Sequence, residues 1–126
     1  MRYLLDSTFL IDHLRAVPAA LTRLDELYAA GDDPLVTSVT ATEVWSGRRV
    51  GGEAAIEQFL RYFEYVHAGP ATAHLAGEWR ARAREVGRAL DVPDALIAAT
   101  AFDLGATVLT RNVADFALTP VRVETY

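Results

Sequence analysis

Four acidic residues lie at positions where α/β proteins commonly bind ligands. Asp6 directly follows the first predicted strand, and Glu43 lies in the first turns of the helix after the second. Asp94 begins the helix that leads to a strand at 107–110, and Asp115 closely follows that strand. In sheets of parallel strands, the ligand crevice lies beyond the carboxyl ends of the strands. We therefore expect the four carboxylates to converge on one crevice.

Each of these acids also has an ordinary structural explanation. Asp94 could cap its helix or interact favourably with the helix dipole, which is worth about 0.3–1 kcal/mol. Glu43 follows Thr40 by the spacing of a capping box. Asp115 could be a solvated turn residue, and Asp6 could be the N-terminal partner of the helix that follows it.

A shared crevice changes the electrostatics of the set. Two carboxylates about 4 Å apart repel by about 4 kcal/mol at an effective dielectric constant near 20. Several together are therefore unfavourable unless they are protonated or neutralised by a cation. Oxygen ligands without cysteine or clustered histidine favour Mg²⁺ or Mn²⁺ over zinc. Such an ion indicates phosphoryl transfer or phosphodiester hydrolysis.

The composition excludes several other kinds of chemistry. The chain has 126 residues, a formal net charge of -5 and no cysteine, and all 12 basic residues are arginine. The missing cysteine excludes disulfide scaffolds, thiol nucleophiles, Cys-ligated zinc and iron–sulfur clusters. The missing lysine excludes P-loop NTPases, Schiff-base enzymes, receiver domains and haloacid-dehalogenase phosphatases, as these families are usually built.

Charge and hydropathy limit the kinds of partner that the protein can have. No stretch approaches the ~18 apolar residues of a membrane helix, and no targeting segment is evident, so we expect a soluble, cytoplasmic protein. A negative net charge ordinarily argues against a nucleic-acid ligand. One divalent ion would bring the charge from -5 to about -3 and make the acidic pocket attract phosphate.

Short apolar strands alternate with helices along the chain. The predicted strands cover residues 2–5, 35–37, 65–68, 107–110 and 121–124. The predicted helices cover 7–15, 19–30, a segment ending at 50, 52–65, 72–89 and 94–104, and 113–116 is a turn or short helix. The expected caps are Ser7 or Thr8 for the first helix and Ser38 or Thr40 for the third. The alternation predicts one α/β domain over residues 1–126, with a mainly parallel sheet covered on both faces.

Three segments carry a resemblance to a known family. They are LLDSTFLIDHL, TATEVWSG and VPDALIAATAFDLGATVLTRNVADF. In this order and spacing they resemble PIN-domain proteins, most closely the VapC toxins of bacterial VapBC toxin–antitoxin pairs, over essentially the whole chain. The resemblance implies a three-layer α/β/α fold and an endoribonuclease dependent on Mg²⁺ or Mn²⁺. It also implies a homodimer, inhibition by a small VapB-like antitoxin, and targets such as transfer or ribosomal RNA.

The resemblance assigns roles to individual residues. The metal-binding and catalytic acids are Asp6, Glu43 and Asp94, with a fourth, more variable acid at Asp115. The polar residues that support the acids or contact substrate are Ser7, Thr110 and Asn112. Arg111 follows a strand end, so we expect it to face the crevice and contact substrate. Many relatives have asparagine where this chain has Thr8, which leaves the contact of that side chain open.

Other charged residues allow two interpretations. Arg80, Arg84 and Arg88 are spaced four apart, so they could follow an RNA backbone or form a solvated helix face that pairs with glutamates. Arg48 and Arg49 could meet phosphate or a partner protein. The acids predicted to be solvated surface residues are Asp12, Asp25, Asp32, Asp33 and Asp103.

Two further functions are compatible with the same residues. A PIN-like binding module would sequester RNA or a protein without cutting it, and it would need the arginines but not the acids. A metal-dependent DNA nuclease or phosphatase would use the same carboxylates. Our leading interpretation is an endoribonuclease toxin whose acids hold the ion.

Overall fold

The computed structural model describes the whole chain, residues 1–126. The strands are β1 (Arg2–Leu5), β2 (Asp33–Thr37), β3 (Glu64–Val66), β4 (Thr107–Leu109) and β5 (Val123–Glu124). The helices are α1 (Ser7–Leu14), α2 (Pro18–Ala29), α3 (Ser38–Ser46), α4 (Glu53–Leu60), α5 (Pro70–Glu85) and α6 (Val92–Leu104), and Val113–Phe116 is a turn of 3₁₀-helix. None of the helices has the length and apolarity needed to cross a membrane.

The five strands form one parallel sheet in the order β3–β2–β1–β4–β5. β1 is central, with β2 on one side and β4 on the other. Leu5 pairs with Leu109, so β1 and β4 end side by side. The residues that directly follow these two strands therefore meet at the carboxyl edge of the sheet.

Alternate strand residues pack on opposite faces of the sheet, as the period of a strand requires. Leu4 and Val108 belong to a buried cluster with side chains of α5 and α6. Tyr3, Leu5 and Leu109 belong to a second cluster with side chains of α1, α2 and α4. Burial of each large apolar side chain contributes roughly 1.5–3 kcal/mol. The prediction of a parallel sheet inside a three-layer α/β/α fold is confirmed.

Three helices end four or five residues before their predicted ends. α3 ends at Ser46, with Gly47 as its C-cap. α4 ends at Leu60 because residues 64–66 pair with β2 as the edge strand β3. α5 ends at Glu85, and Gly87 then adopts a φ of +70°, a backbone conformation that glycine tolerates best. Arg88 is therefore outside the helix, and the predicted row of arginines does not share one helical face.

The helix caps differ from the predicted ones. Thr37 caps α3, because its hydroxyl accepts a hydrogen bond from the backbone N–H of Thr40 at 3.1 Å. Asp91 caps α6, accepting from the N–H of Asp94 at 2.9 Å. α1 begins directly after Asp6, whose side chain makes no capping bond. The expected caps at residues 7 or 8 and 38 or 40 were therefore wrong, and so was the alternative explanation of Asp94 as a cap.

Candidate functional site

The end of β1 and the end of β4 bring Asp6 and Thr110 together. The backbone N–H of Asp6 donates to the carbonyl of Leu109 at 3.0 Å, which extends the strand pairing by one residue. The Thr110 hydroxyl then donates to Asp6 Oδ2 at 2.7 Å, and both residues are buried. The sequence prediction placed both residues in the site, and the structure puts them in direct contact.

Thr8 is a component of the site whose contact the sequence left open. Its hydroxyl lies 3.2 Å from Asp6 Oδ2 and 3.2 Å from the Thr110 hydroxyl. It also accepts a hydrogen bond from the backbone N–H of Arg111 at 3.2 Å. The N–H of Asn112 donates to the Thr110 hydroxyl at 2.9 Å. Thr8 and Thr110 thus orient one carboxylate oxygen and tie the loop after β4 to it.

Glu43 lies on α3 with one carboxylate oxygen that has no partner. Its Oε1 is buried and makes no hydrogen bond, a situation that costs about 1–3 kcal/mol, or more for a charged group. Burial raises the pKa of Glu43, and the charges of Asp6 and Asp91 raise it further, whereas Ser7 opposes the shift. Because Thr37 caps the helix, the capping-box explanation of Glu43 was wrong.

Asp94 lies in the first turn of α6 and is the most perturbed of the acids. Burial raises its pKa to about 8, with further contributions from the negative charges of Asp91, Asp115 and Asp6. Asp91 accepts a hydrogen bond from the backbone N–H of Asp94, so the cap explanation of Asp94 was wrong. Its position still matches a favourable charge at a helix N-terminus.

The other two predicted acids are Asp6, which follows β1, and Asp115, which lies after β4. Burial raises the pKa of Asp6 even though it accepts bonds from Thr110, the Ser7 backbone and Thr8, and Asp115 adds a small repulsion. Asp115 is exposed on the 3₁₀ turn. The charge of Asp6 raises the pKa of Glu43 and Asp94, and the charge of Asp115 raises the pKa of Asp6 and Asp94.

Asp91 is a fifth acid that the sequence interpretation did not include. It is exposed, it caps α6, and its charge raises the pKa of both Glu43 and Asp94. The available signal was its place three residues before Asp94, with Pro93 between them at the start of the helix. This spacing is typical of an N-cap aspartate.

The acids are without a cationic partner. The ion pairs of the structure involve other carboxylates, and none includes the five acids described above. No three His, Asp or Glu side chains, as they stand, are arranged so that they could hold a metal ion together. Mutual repulsion is a physical reason for carboxylates to stay apart without a cation. Hard oxygen donors, raised pKa values and the unpartnered Glu43 oxygen fit Mg²⁺ or Mn²⁺.

Arg111 lies at the edge of this crevice and contacts an acid that we predicted to be on the surface. Asp12 is buried, and its two oxygens each lie 2.8 Å from Arg111 Nη1. The prediction of a solvated Asp12 was therefore wrong, because α1 turns this residue inward toward the loop after β4. The Arg111 side chain remains 57% exposed.

The other arginines are placed differently. Arg80 Nε donates to the carbonyl of Leu90 at 2.9 Å and so braces the connection between α5 and α6. Arg48 and Arg49 border a cavity of about 300 Å³ between α1, α3 and α4, together with Ile11, Leu14 and other residues. The lining of this cavity includes none of the site acids.

The chain is similar to known proteins along almost its whole length. Residues 3–119 match the family model of the PIN domain. The chain is 35% identical to ribonuclease VapC19 of Mycobacterium tuberculosis over 117 residues, which cover 93% of this chain and 94% of that protein. It is 36% identical to ribonuclease VapC10 of the same organism over 114 residues, covering 90% of this chain and 84% of that protein.

A solved structure supports the same fold. The crystal structure of VapBC2 from Rickettsia felis, bound to a DNA fragment from its promoter, matches with a TM-score of 0.88. The match covers 100% of this chain and 99% of the other, at 21% sequence identity. At this identity the likeness concerns the fold and not the chemistry.

Proposed function

This chain belongs to the PIN-domain family, and from that premise we propose that it is a metal-dependent endoribonuclease that hydrolyses RNA phosphodiester bonds. The observation that carries the proposal is the group of carboxylates that has no cation of its own. Asp6, Glu43 and Asp94 come from three separate elements, their pKa values are all raised, and one Glu43 oxygen is buried without a partner. A binding module would have no need for such an unfavourable arrangement.

Asp6, Glu43 and Asp94 would hold Mg²⁺ or Mn²⁺, with Asp115 assisting through a water or a second ion. When bound, such an ion would stabilise the charge that develops on the phosphate and help to activate a water for in-line attack. The protein prepares the ligands: Thr110 and Thr8 bond Oδ2 of Asp6 and so orient the carboxylate. Because ligand carboxylates must be deprotonated, ion binding would release the protons that the raised pKa values retain.

The substrate contacts in this proposal surround the acids. Ser7, Thr110, Arg111 and Asn112 follow the ends of β1 and β4, and the exposed guanidinium of Arg111 can reach a phosphate. An arginine suits this task because its planar guanidinium can donate several hydrogen bonds to phosphate oxygens. RNA as substrate is supported by the relatives, whose names describe ribonucleases.

The biological role that fits these relatives is the toxin of a toxin–antitoxin pair. Its partner would be a VapB-like antitoxin, and the active form would be a cytoplasmic homodimer. The cavity between α1, α3 and α4 is lined by apolar side chains, such as Ile11 and Leu14, and by the basic Arg15, Arg48 and Arg49. An amphipathic antitoxin segment with acidic residues would complement this surface.

The test combines RNA cleavage with growth. Purified protein is incubated with RNA in Mn²⁺ and then in EDTA, and the same chain is expressed in a bacterial host. We expect cleavage that EDTA stops and Asp94→Asn abolishes, together with loss of growth inhibition in that variant. Asp25→Asn, which removes an exposed carboxylate of α2, is the matched control and should change neither result.

Two outcomes would contradict the proposal. RNA retention without EDTA-sensitive cleavage over many RNAs would identify a binding module. Preferential cutting of single-stranded DNA in a competition with RNA would identify a DNA nuclease that uses the same acids. Full toxicity of a folded Asp6→Asn, Asp94→Asn double variant would remove these residues from the mechanism.

A further inference from the structure

Arg111 is held by hydrogen bonds at its backbone N–H and at its guanidinium. At the root, its backbone N–H donates to the Thr8 hydroxyl, which lies 3.2 Å from Asp6 Oδ2. At the tip, Nη1 lies 2.8 Å from both oxygens of Asp12. The guanidinium is therefore held on Asp12 and does not have the freedom of an ordinary exposed arginine.

Asp12 is an unusual partner for an exposed arginine, because the carboxylate is inside the protein. Its side chain is 3% exposed, whereas that of Arg111 is 57% exposed. The pair thus spans the boundary between the core and the solvent. Only Nη1 is used in this contact, so Nε and Nη2 keep N–H groups that can donate to a phosphate.

Tyr126 closes the other side of Asp12. Its hydroxyl donates to Asp12 Oδ2 at 2.7 Å, and its ring packs edge-on against Phe9 with 5.0 Å between the ring centroids. Phe9 is fully buried, which gives the tyrosine a rigid support. Burial and the Asp12 charge both raise the pKa of Tyr126, so the hydroxyl stays a donor. Asp12 therefore accepts hydrogen bonds from two side chains, those of Arg111 and Tyr126.

We infer that Asp12 and Tyr126 are positioning residues that hold the Arg111 guanidinium at the edge of the acidic crevice, where it contacts a phosphate of bound RNA. This inference rests on the proposed ribonuclease function and extends it to two residues outside the acidic set. The competing explanation is a structural staple that only holds residue 126 against α1. In that case RNA binding would not depend on Arg111.

The experiment measures the affinity for a labelled single-stranded RNA of mixed sequence in EDTA, over a series of salt concentrations. The variants are Arg111→Met, Tyr126→Phe and the double variant. Tyr126→Phe is preferred to Asp12→Asn because it keeps the ion pair and the ring packing. Matched controls are Arg2→Met, at the amino-terminal end of β1, and Tyr28→Phe, on an exposed part of α2. Thermal melting of each variant monitors folding.

Arg111→Met should weaken binding about tenfold, because it removes a charged hydrogen-bond donor. It should also reduce the slope of log affinity against log salt by about 0.7, the value for one phosphate contact on a single strand. Tyr126→Phe should weaken binding about threefold when Arg111 is present and have no further effect in the double variant, since both act through one contact. The controls should keep the wild-type slope.

An unchanged salt slope in Arg111→Met, or an equal effect of Tyr126→Phe with and without Arg111, would overturn the inference. If the wild type cleaves RNA but shows either result, only the positioning role fails. If the wild type neither binds nor cleaves RNA, the proposed function fails and the inference fails with it.

Discussion

Asp6 and Asp12 are both buried aspartates: Asp6 directly precedes α1, and Asp12 lies within α1. Their hydrogen-bond and charge partners differ. Asp12 has an internal counterion in Arg111 and a further hydrogen bond from Tyr126. Asp6 has only hydroxyl and backbone partners, and burial raises its pKa. A buried charge needs either a partner or neutralisation. The contrast separates a carboxylate that serves the architecture from one that lacks a cation.

Glu43 and Asp94 belong with Asp6 in this comparison. Their pKa values are raised by burial first and by neighbouring negative charges second, and no arginine offsets them. An arginine thus pairs with the buried Asp12 and with none of Asp6, Glu43 and Asp94. Until a cation binds, we expect the region around Asp6, Glu43 and Asp94 to be less stable than the region around the Asp12–Arg111 pair.

The largest expected effect comes from neutralising Asp6. Asp6→Asn keeps an oxygen that can accept from Thr110, so the fold should be retained. Cleavage should fall by about 10³-fold, since a bound ion stabilises the transition state by several kcal/mol. The free energy of unfolding in urea should stay constant or rise without metal, because a buried charge that lacks a cation is removed. A large loss of stability would show that Asp6 is structural in the way that Asp12 is.

Mn²⁺ binding should stabilise the acidic region selectively. At a free concentration of 100 times its Kd, a ligand that binds only the folded state adds about 2.7 kcal/mol. We expect the melting temperature of the wild type to rise with Mn²⁺ and to return with EDTA. Asp94→Asn should respond weakly, and Arg111→Met should respond like the wild type. An equal response of all three proteins would place the ion elsewhere.

Removing the counterion of Asp12 should have the opposite sign to removing Asp6. Arg111→Met leaves a buried carboxylate with only the Tyr126 hydrogen bond. We expect a loss of about 2 kcal/mol in unfolding free energy, below the 3–5 kcal/mol typical of fully buried pairs because the guanidinium is more than half exposed. Arg2→Met should cost little. A stabilising Arg111→Met would end the distinction between the two aspartates.

A further effect concerns pH. The folded-state pKa of Asp94, about 8, lies above its ordinary value of 3.8, so the folded protein binds the extra proton between these pH values. The metal-free protein should therefore lose stability as pH rises from about 4 to about 8, and apparent Mn²⁺ affinity should increase over the same range. Melting curves of the wild type and Asp94→Asn over this range isolate the contribution.

Asp91→Asn sharpens the pH comparison. Asparagine caps helices about as well as aspartate, so stability should change little. Its neutral side chain should lower the pKa of Asp94 and move the rise in Mn²⁺ affinity to lower pH. Unchanged pH dependence would show that the charge of Asp91 does not perturb Asp94.

The elements and the principal acids were predictable from the sequence. Apolar runs of strand length, helical periodicity and the positions of glycine and proline predicted all five strands and six helices, with boundary errors of a few residues. Parallel strands have their ligand crevice at the carboxyl edge, so Asp6, Thr110 and Arg111 could be placed near one another. The elements follow from local residue order, and the grouping of these residues follows from the geometry of parallel strands.

The partners of individual side chains were decided by the tertiary structure. Asp12 becomes buried because Arg111, 99 residues away in the chain, and Tyr126 reach it, and nothing near Asp12 in sequence indicates this. The contact of Asp6 with Thr110 spans 104 residues. Asp91, not Asp94, caps α6, which leaves Asp94 among the acids. The sequence alone determines which groups can carry charge, but burial and the distance to a counterion arise only when remote segments pack together.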